Sequence, residues 1–216
     1  GFVSRGLGDV YKRQILTFTY KSGIISFPIE EIEIISSDKK YNEKKLSKYI
    51  DSIYGNDLLL SNIDMIQKNI ISDEWISDVE VIKSFPSKLS IRIIEHQPLA
   101  IYNNQIMSKS GILIRSSSNL GNLPVVVDKQ KRPTVAYDIL SSSLDGLKKI
   151  NLVVKKIEIY HSLIKIYTTS IILISDKTNF KKNIQRLVPS FSDLKNTYGK
   201  KITSIDMRYS NGFAIK

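Results

Sequence analysis

Residues 75–98 read WISDVEVIKSFPSKLSIRIIEHQP, and their periodicity decides how the chain is divided. Val79 and Val81 alternate with Glu80 and Ile82; beyond the break, Leu89, Ile91 and Ile93 alternate with Ser90, Arg92 and Ile94. A period of two puts alternate side chains on opposite faces of a strand. The break is Ser84-Phe85-Pro86-Ser87, where Pro86 fixes its own φ, donates no N–H to a ladder and biases Phe85 away from helix. An antiparallel hairpin is therefore predicted, each arm with one face suited to a core.

Outward toward the N-terminus, Ser61-Asn62-Ile63-Asp64 fits a Ser-x-x-Asp capping pattern with Ser61 as the N-cap. Ile63, Ile66 and Ile70 give the stripe of the helix that follows. Before it, Leu46, Tyr49, Ile50, Ile53 and Tyr54 share one helical face, and Gly55 stands where a helix commonly ends. Ile32 and Ile34 alternate with Glu31 and Glu33 as a short first strand. The order over residues 28–97 is β-α-α-β-β, a layer of two helices on a three-stranded sheet. Trp75, between helix and hairpin, is read as a plug for the end of that core in preference to a partner-binding hot spot. Residues 15–27 read as a connector. Residues 1–14, GFVSRGLGDVYKRQ, have no periodicity and read as a non-native scar, excluded from the fold.

Toward the C-terminus, Gln97-Pro98 marks a boundary, and residues 98–216 read as a second α+β domain: an antiparallel or mixed sheet with two helices. Short strands are expected at 99–102, 105–107, 111–114 and 123–127, with a polar loop at 116–121 and an exposed loop, DKQKRPT, at 128–134. Leu140, Leu144, Leu147 and Ile150 mark a helix over 139–150. Three strands follow as a meander over 153–174. A last helix over 180–194 carries Pro189, where a kink is expected. Two strands, 202–208 and 213–215, flank Ser210-Asn211-Gly212 at the end.

The chain has 216 residues, 42% of them hydrophobic, enough for one large or two small cores. With no cysteine, disulfides, thiolate metal sites and cysteine nucleophiles are excluded, and two histidines make a multi-histidine site a poor prospect. A net charge of +11 fits attraction to nucleic acid or anionic lipid, but its lysines are scattered in pairs, as on solvated faces. No aromatic ladder interleaves them along the sequence. No run approaches the ~18 apolar residues of a spanning helix. Nothing has the spacing of a phosphate loop, a nucleophile elbow or paired metal carboxylates. Glu95 and His96 are adjacent on an extended segment and face opposite ways, so they make a poor acid–base pair. His161 falls in a turn and reads as solvated. Asp206 and Arg208 sit two apart on a strand and read as a salt bridge. No cofactor is implied, and a binding or scaffold role is the default.

Two separated motifs carry a family resemblance. The first is Trp75-Ile76 before a strand, the aromatic-Pro turn at Pro86, and Glu95-x-x-Pro98-x-Ala100 after the second strand. The second is Ile205-Asp206-Met207-Arg208-Tyr209-Ser210-Asn211-Gly212-Phe213-Ala214-Ile215. In order and spacing these resemble the bacterial cell-division FtsQ/DivIB family over residues 28–216. The resemblance implies a small POTRA domain at 28–97 and a β-rich domain at 98–216, in a single-pass inner-membrane protein whose bulk is periplasmic at the division septum. It implies no enzymatic activity and a docking role toward FtsB, itself paired with FtsL, within the divisome. By position in the motif, Tyr209, Ser210, Asn211, Gly212, Phe213, Ala214, Ile215 and Lys216 are the partner-facing residues, where a partner adds a strand to the sheet edge. Neither a specific nucleic acid nor a small-molecule substrate is implied, and the membrane anchor is expected upstream of this chain. Two other readings stay open: a POTRA subunit of an outer-membrane assembly or secretion system, and a basic α+β nucleic-acid binder.

Overall fold

In a computed structural model of the chain, residues 13, 14, 17, 25–36, 38, 41–115 and 121–216 are described. Most of the stretch 1–14 read as a scar, most of the connector, and residues 116–120 of the polar loop lie outside them. The chain falls into two compact units, Gly1–Glu95 and His96–Lys216.

The first unit runs β1 (Glu31–Ser36), α1 (Glu43–Ile53), α2 (Ile63–Ile70), β2 (Ile76–Ser84) and β3 (Lys88–Glu95). β3 is central, antiparallel to β2 and parallel to β1. Its alternation is the predicted one: Leu89, Ile91 and Ile93 are buried with Val79 and Val81 beneath Leu46, Ile53, Ile66 and Ile70 of the helices. Trp75 is buried as a plug should be. The cap of α2 differs from the sequence reading. Asn62 Oδ1, not Ser61, accepts the Met65 N–H at 3.2 Å, while Ser61 Oγ donates to the Asp57 carbonyl at 2.7 Å. Asp57 also accepts the N–H groups of Leu59 and Leu60, and the turn it closes leaves Ser61 one residue short of the helix.

The second unit contains β4 (Pro98–Tyr102), β5 (Gln105–Ser108), β6 (Leu113–Ile114), β7 (Val125–Asp128), α3 (Pro133–Lys148), β8 (Val154–Ile159), β9 (Leu163–Thr168), β10 (Ile172–Asp176), α4 (Phe180–Tyr198), β11 (Ser204–Asp206) and β12 (Ala214–Ile215). The strands form one mixed sheet in the order β12-β11-β10-β9-β8-β7-β4-β5-β6. Its buried face, including Ile157, Ile164, Ile166, Leu173 and Ile205, packs with Leu140, Leu147, Ile184 and Leu187 of the two helices. The helices approach closely because residue 146 is glycine; a Cβ there would collide with the Ile184 side chain. The turn after β4 is made by Asn103 and Asn104, at φ 43° and 70°, the left-handed pair a tight hairpin needs.

α3 starts earlier than its apolar spacing predicted, so the stretch read as a loop at 128–134 ends inside a helix. Asp128 is the reason. Its carboxylate accepts the N–H groups of Gln130 at 2.9 Å and Arg132 at 2.7 Å, tightening the turn, and Pro133 takes the first helical position, where its missing N–H is no loss. α4 is helical without interruption from Phe180 through Pro189 to Tyr198.

Candidate interaction edge

The last strands lie at one margin of the nine-stranded sheet. β11 pairs in parallel with β10, and its Ile205, like the flanking Ile202 and Met207, is buried in the core. β12 pairs with β11, at Ile205↔Ile215 and Asp206↔Ala214, and with no other described strand. Lys216 and Ser204 exchange both main-chain hydrogen bonds, at 2.9 and 3.0 Å, and Thr203 Oγ1 adds a third bond to the Lys216 carbonyl at 2.7 Å. In an antiparallel ladder bonded and non-bonded pairs alternate, so the Ile215 N–H and C=O point away from β11, along the sheet margin.

The turn between these strands is held by a side chain from α4. Arg186 donates through both terminal nitrogens to the Tyr209 carbonyl, at 3.0 Å each, and through Nη2 to the Gly212 carbonyl at 3.1 Å. Its guanidinium also lies 5.2 Å from the centre of the Phe213 ring. A planar fork of donors meets two carbonyls at once, a task a lysine cannot perform in the same way. Phe213 and Ile215 are half-buried against the core, alongside Phe191 and Leu194 of α4.

Just before the turn, Arg208 closes on Asp206: Nε lies 2.9 and 3.0 Å from the two carboxylate oxygens and Nη2 lies 2.6 Å from Oδ2. These hydrogen bonds hold the Asp206 carboxyl below the usual carboxylate range against the opposing effect of burial. Tyr209 is exposed, Ser210 and Asn211 form the open tip of the turn, and Gly212 is half-buried.

Of the motif residues assigned from sequence, 209–213 therefore occupy the clamped turn, 214 and 215 the edge strand, and Lys216 follows it, bonded to Ser204. Asp206 and Arg208 form the pair just inside it. Trp75, Pro86 and Glu95 belong to the first unit, where Glu95 is buried and accepts the Ser36 hydroxyl at 2.7 Å. Pro98 opens β4. His161 is exposed in the turn between β8 and β9, as read from sequence, and its Nδ1 lies 2.8 Å from the Gln130 amide nitrogen. Burial moves the His96 imidazole pKa downward.

Arg186 escaped the sequence reading because it is one cation among Lys181, Lys182 and others on an amphipathic helix, and nothing local marks its long-range partners. The sheet also assembles what the linear sequence scatters. Lys129 and Lys165 lie over Tyr160, and Lys156 over Tyr167, at 5.3–5.9 Å from the ring centres. Glu158 accepts both tyrosine hydroxyls and pairs with Lys156 at 2.7 Å, so the cluster satisfies itself around one carboxylate. Tyr102, buried and bonded to Asp128 at 3.2 Å, has its phenol pushed up to about 12, first by burial and then by that carboxylate. Asp128 is a turn-forming residue, whose carboxylate accepts two backbone N–H groups besides the Tyr102 hydroxyl. Among the described residues no group of three or more metal-binding side chains is gathered, and no helix is long and apolar enough to cross a membrane.

The family model described as "POTRA domain, FtsQ-type" matches residues 27–96, the β-α-α-β-β unit. Beyond that unit, the chain is 25% identical over 160 residues to Cell division protein FtsQ of Actinobacillus pleuropneumoniae serotype 3, covering 71% of this chain and 70% of that one. The chain carries an FtsQ-type POTRA domain and is similar to FtsQ proteins over most of its length. FtsQ of Haemophilus influenzae is 27% identical over 157 residues, 69% of this chain and 61% of its own length. FtsQ of Aliivibrio fischeri is 21% identical over 215 residues, 93% of this chain and 80% of its own. The FtsQ likeness is thus too long to fit within either unit and runs through both.

Proposed function

We propose that this chain is a non-enzymatic component of the bacterial division machinery, and that it captures a partner strand at β12. In this reading residues 28–97 act as the POTRA domain and residues 98–216 as the docking domain. An N-terminal anchor upstream of this chain holds both on the periplasmic side of the inner membrane at the septum. The partner is FtsB, paired with FtsL, and other division proteins gather on the same scaffold. The FtsQ-type POTRA match and the likeness to FtsQ proteins over most of the chain support the setting. The observation that carries the binding mode is the margin: β12 has a bonded side toward β11 and a side on which no described strand pairs.

Main-chain groups on such a margin bond an incoming extended segment, while pockets for alternate side chains select its sequence. Two residues make a short template, consistent with an edge kept from indiscriminate pairing. Phe213 and Ile215, half-buried against the core, alternate with the exposed Ala214 along this segment, so an added strand would meet apolar side chains beside the outward Ile215 main chain.

Proline substitution separates the two sides of β12. Ile215→Pro removes the outward N–H and leaves the bonds of Lys216 with Ser204 intact, the one kind of strand position proline tolerates. Titration with an FtsB-derived peptide, followed calorimetrically, is expected to lose about tenfold or more in affinity in this variant, the size of one bond left unmade. Thermal stability should stay near that of the parent. Equal affinity in parent and Ile215→Pro would rule out strand addition at this margin.

A further inference from the structure

Among the described residues β2 is the longest strand at a sheet margin: nine residues, paired with β3 on one side and with no described strand on the other. By length it is a better template for strand addition than the two residues of β12. Its outer side is nonetheless occupied, by side chains of its own unit. Gln67, on α2, donates from Nε2 to the Val79 carbonyl at 3.0 Å, and Asp78 Oδ1 accepts the Val79 N–H at 2.8 Å. Both main-chain groups of Val79 are thus turned away from β3 and already bonded. Because bonded and non-bonded pairs alternate along an antiparallel ladder, the outward positions of β2 are Val79, Val81 and Lys83. Two further features discourage pairing here. The register of β2 on β3 shifts between Ile76 and Asp78, a bulge just before Val79. Lys83 turns its charge toward the helices, where its ammonium donates to the Leu59 and Ser61 carbonyls at 3.1 and 2.6 Å. Bulges and inward-facing charges are known protections of a bare outer strand, and a side chain bonded to the outward main chain does the same job directly.

We propose that Gln67 and Asp78 are specificity-determining residues that close β2 to strand pairing, above all with β2 of a second copy of this chain. Every copy carries the same margin, and a margin that pairs antiparallel with itself joins two chains by a two-fold axis. Two β2 strands laid antiparallel about Val81 would set Val79 of one against Lys83 of the other, and Val81 against itself. Every main-chain bond of that ladder, except those between the two Val81 residues, uses the N–H or C=O of a Val79. With those groups already bonded, too little ladder remains to offset the freedom lost on association. Ile82 shows why such a guard matters: its side chain is 46% exposed beside the margin and would gain burial in the pair. In the reading proposed above, closing β2 also directs strand capture to the terminal ribbon. The guard itself stands without that reading, since it concerns only the first unit.

The test opens the margin in the whole chain and reads self-association by sedimentation equilibrium. Gln67→Met keeps the length of the side chain and removes its donor, and Asp78→Ala removes the acceptor. The double variant is expected to self-associate about a hundredfold more tightly than the parent, through the groups that Val79 then offers. Each single variant should show a smaller gain, which keeps the test in force if the double variant does not fold; Trp75 fluorescence reports folding of the first unit in every case. Asp78→Asn, which retains a side-chain oxygen for the Val79 N–H, should behave as the parent. Adding Val81→Pro to the double variant takes away an outward N–H, leaves the bonds to β3 in place and should return association to the parent level. Folded variants that associate no more than the parent overturn the proposal, as does association that survives Val81→Pro. No partner peptide enters this test, so its failure is separate from failure of capture at β12, which Ile215→Pro reads.

Discussion

The β2–β3 hairpin of the first unit and the β11–β12 hairpin at the chain's end are both antiparallel ribbons joined by a short turn, yet they are held in opposite ways. The first pairs at eight positions, from Ile76↔Glu95 to Ser84↔Lys88, and buries a full alternating face under two helices. The second pairs at two positions, and its turn is fixed by a guanidinium from a helix. A ribbon with a long ladder and a core is complete within its own unit. A ribbon two pairs long, steadied from one side by a side chain, keeps its strand in place while no described strand pairs with its far margin, the state that the proposed strand capture needs.

If that contrast holds, the first hairpin should be most sensitive to loss of core volume. Ile91 is fully buried on the central strand, and Ile91→Ala is expected to destabilise the first unit by about 2–5 kcal/mol. Urea unfolding monitored by fluorescence of Trp75, which sits in that unit, reads the effect. A loss under about 1 kcal/mol would mean that the ladder and not the core holds this ribbon, and the comparison would break on its first side.

For the terminal hairpin the sensitive residue should be the clamp. Arg186→Ala leaves the Tyr209 and Gly212 carbonyls without their charged donor, a loss of about 1.5–3 kcal/mol for bonds of this kind. The expected readout is local: hydrogen exchange at Lys216 and its neighbours speeds by roughly tenfold or more, while amides of β3 are unchanged. FtsB-peptide affinity should fall in parallel. Arg186→Lys should recover only part of it, because an ammonium cannot present the fork. Unchanged exchange at Lys216 in Arg186→Ala would show that two ladder positions suffice without the clamp.

The difference between the ribbons also explains what the sequence could disclose. The first hairpin is written in local alternation, so Val79, Val81, Leu89, Ile91 and Ile93 announce it. The terminal motif is visible as a string, Ile205 to Ile215, and its strands were expected a few residues longer than the paired segments. Arg186 was not legible, because its partners are twenty-three and twenty-six residues away and reach it only after α4 docks on the sheet. The two helix starts misread from local pattern share one cause. Asp57 and Asp128 each spend a carboxylate on backbone amides of a turn, which moved the N-cap of α2 from Ser61 to Asn62 and began α3 at Pro133. The lysine–tyrosine cluster around Glu158 was invisible for the same kind of reason: Lys129 meets Tyr160 only through pairing of β7 with β8.

The smallest expected effect concerns ion pairs that look alike in the two ribbons. Glu80 and Arg92, across β2 and β3, lie 3.3 Å apart with both side chains more than half exposed, whereas Asp206 is mostly covered and gripped by Arg208 at 2.6 Å. Solvent screens the first pair, so its contribution should be close to zero; the second should contribute about 1 kcal/mol or less. Because the Asp206 pKa is depressed in the folded protein, that contribution is complete above the ordinary carboxylate value near 4 and is lost as pH falls through the lower folded value. Carbon-13 titration of the carboxyl groups checks the cause. In the parent, Asp206 should titrate below the ordinary range, and Arg208→Gln should return it there. Were Asp206 to titrate at the same low pH in Arg208→Gln, the local grip would not be its source, and the Asp206–Arg208 pair would be no more consequential than Glu80–Arg92.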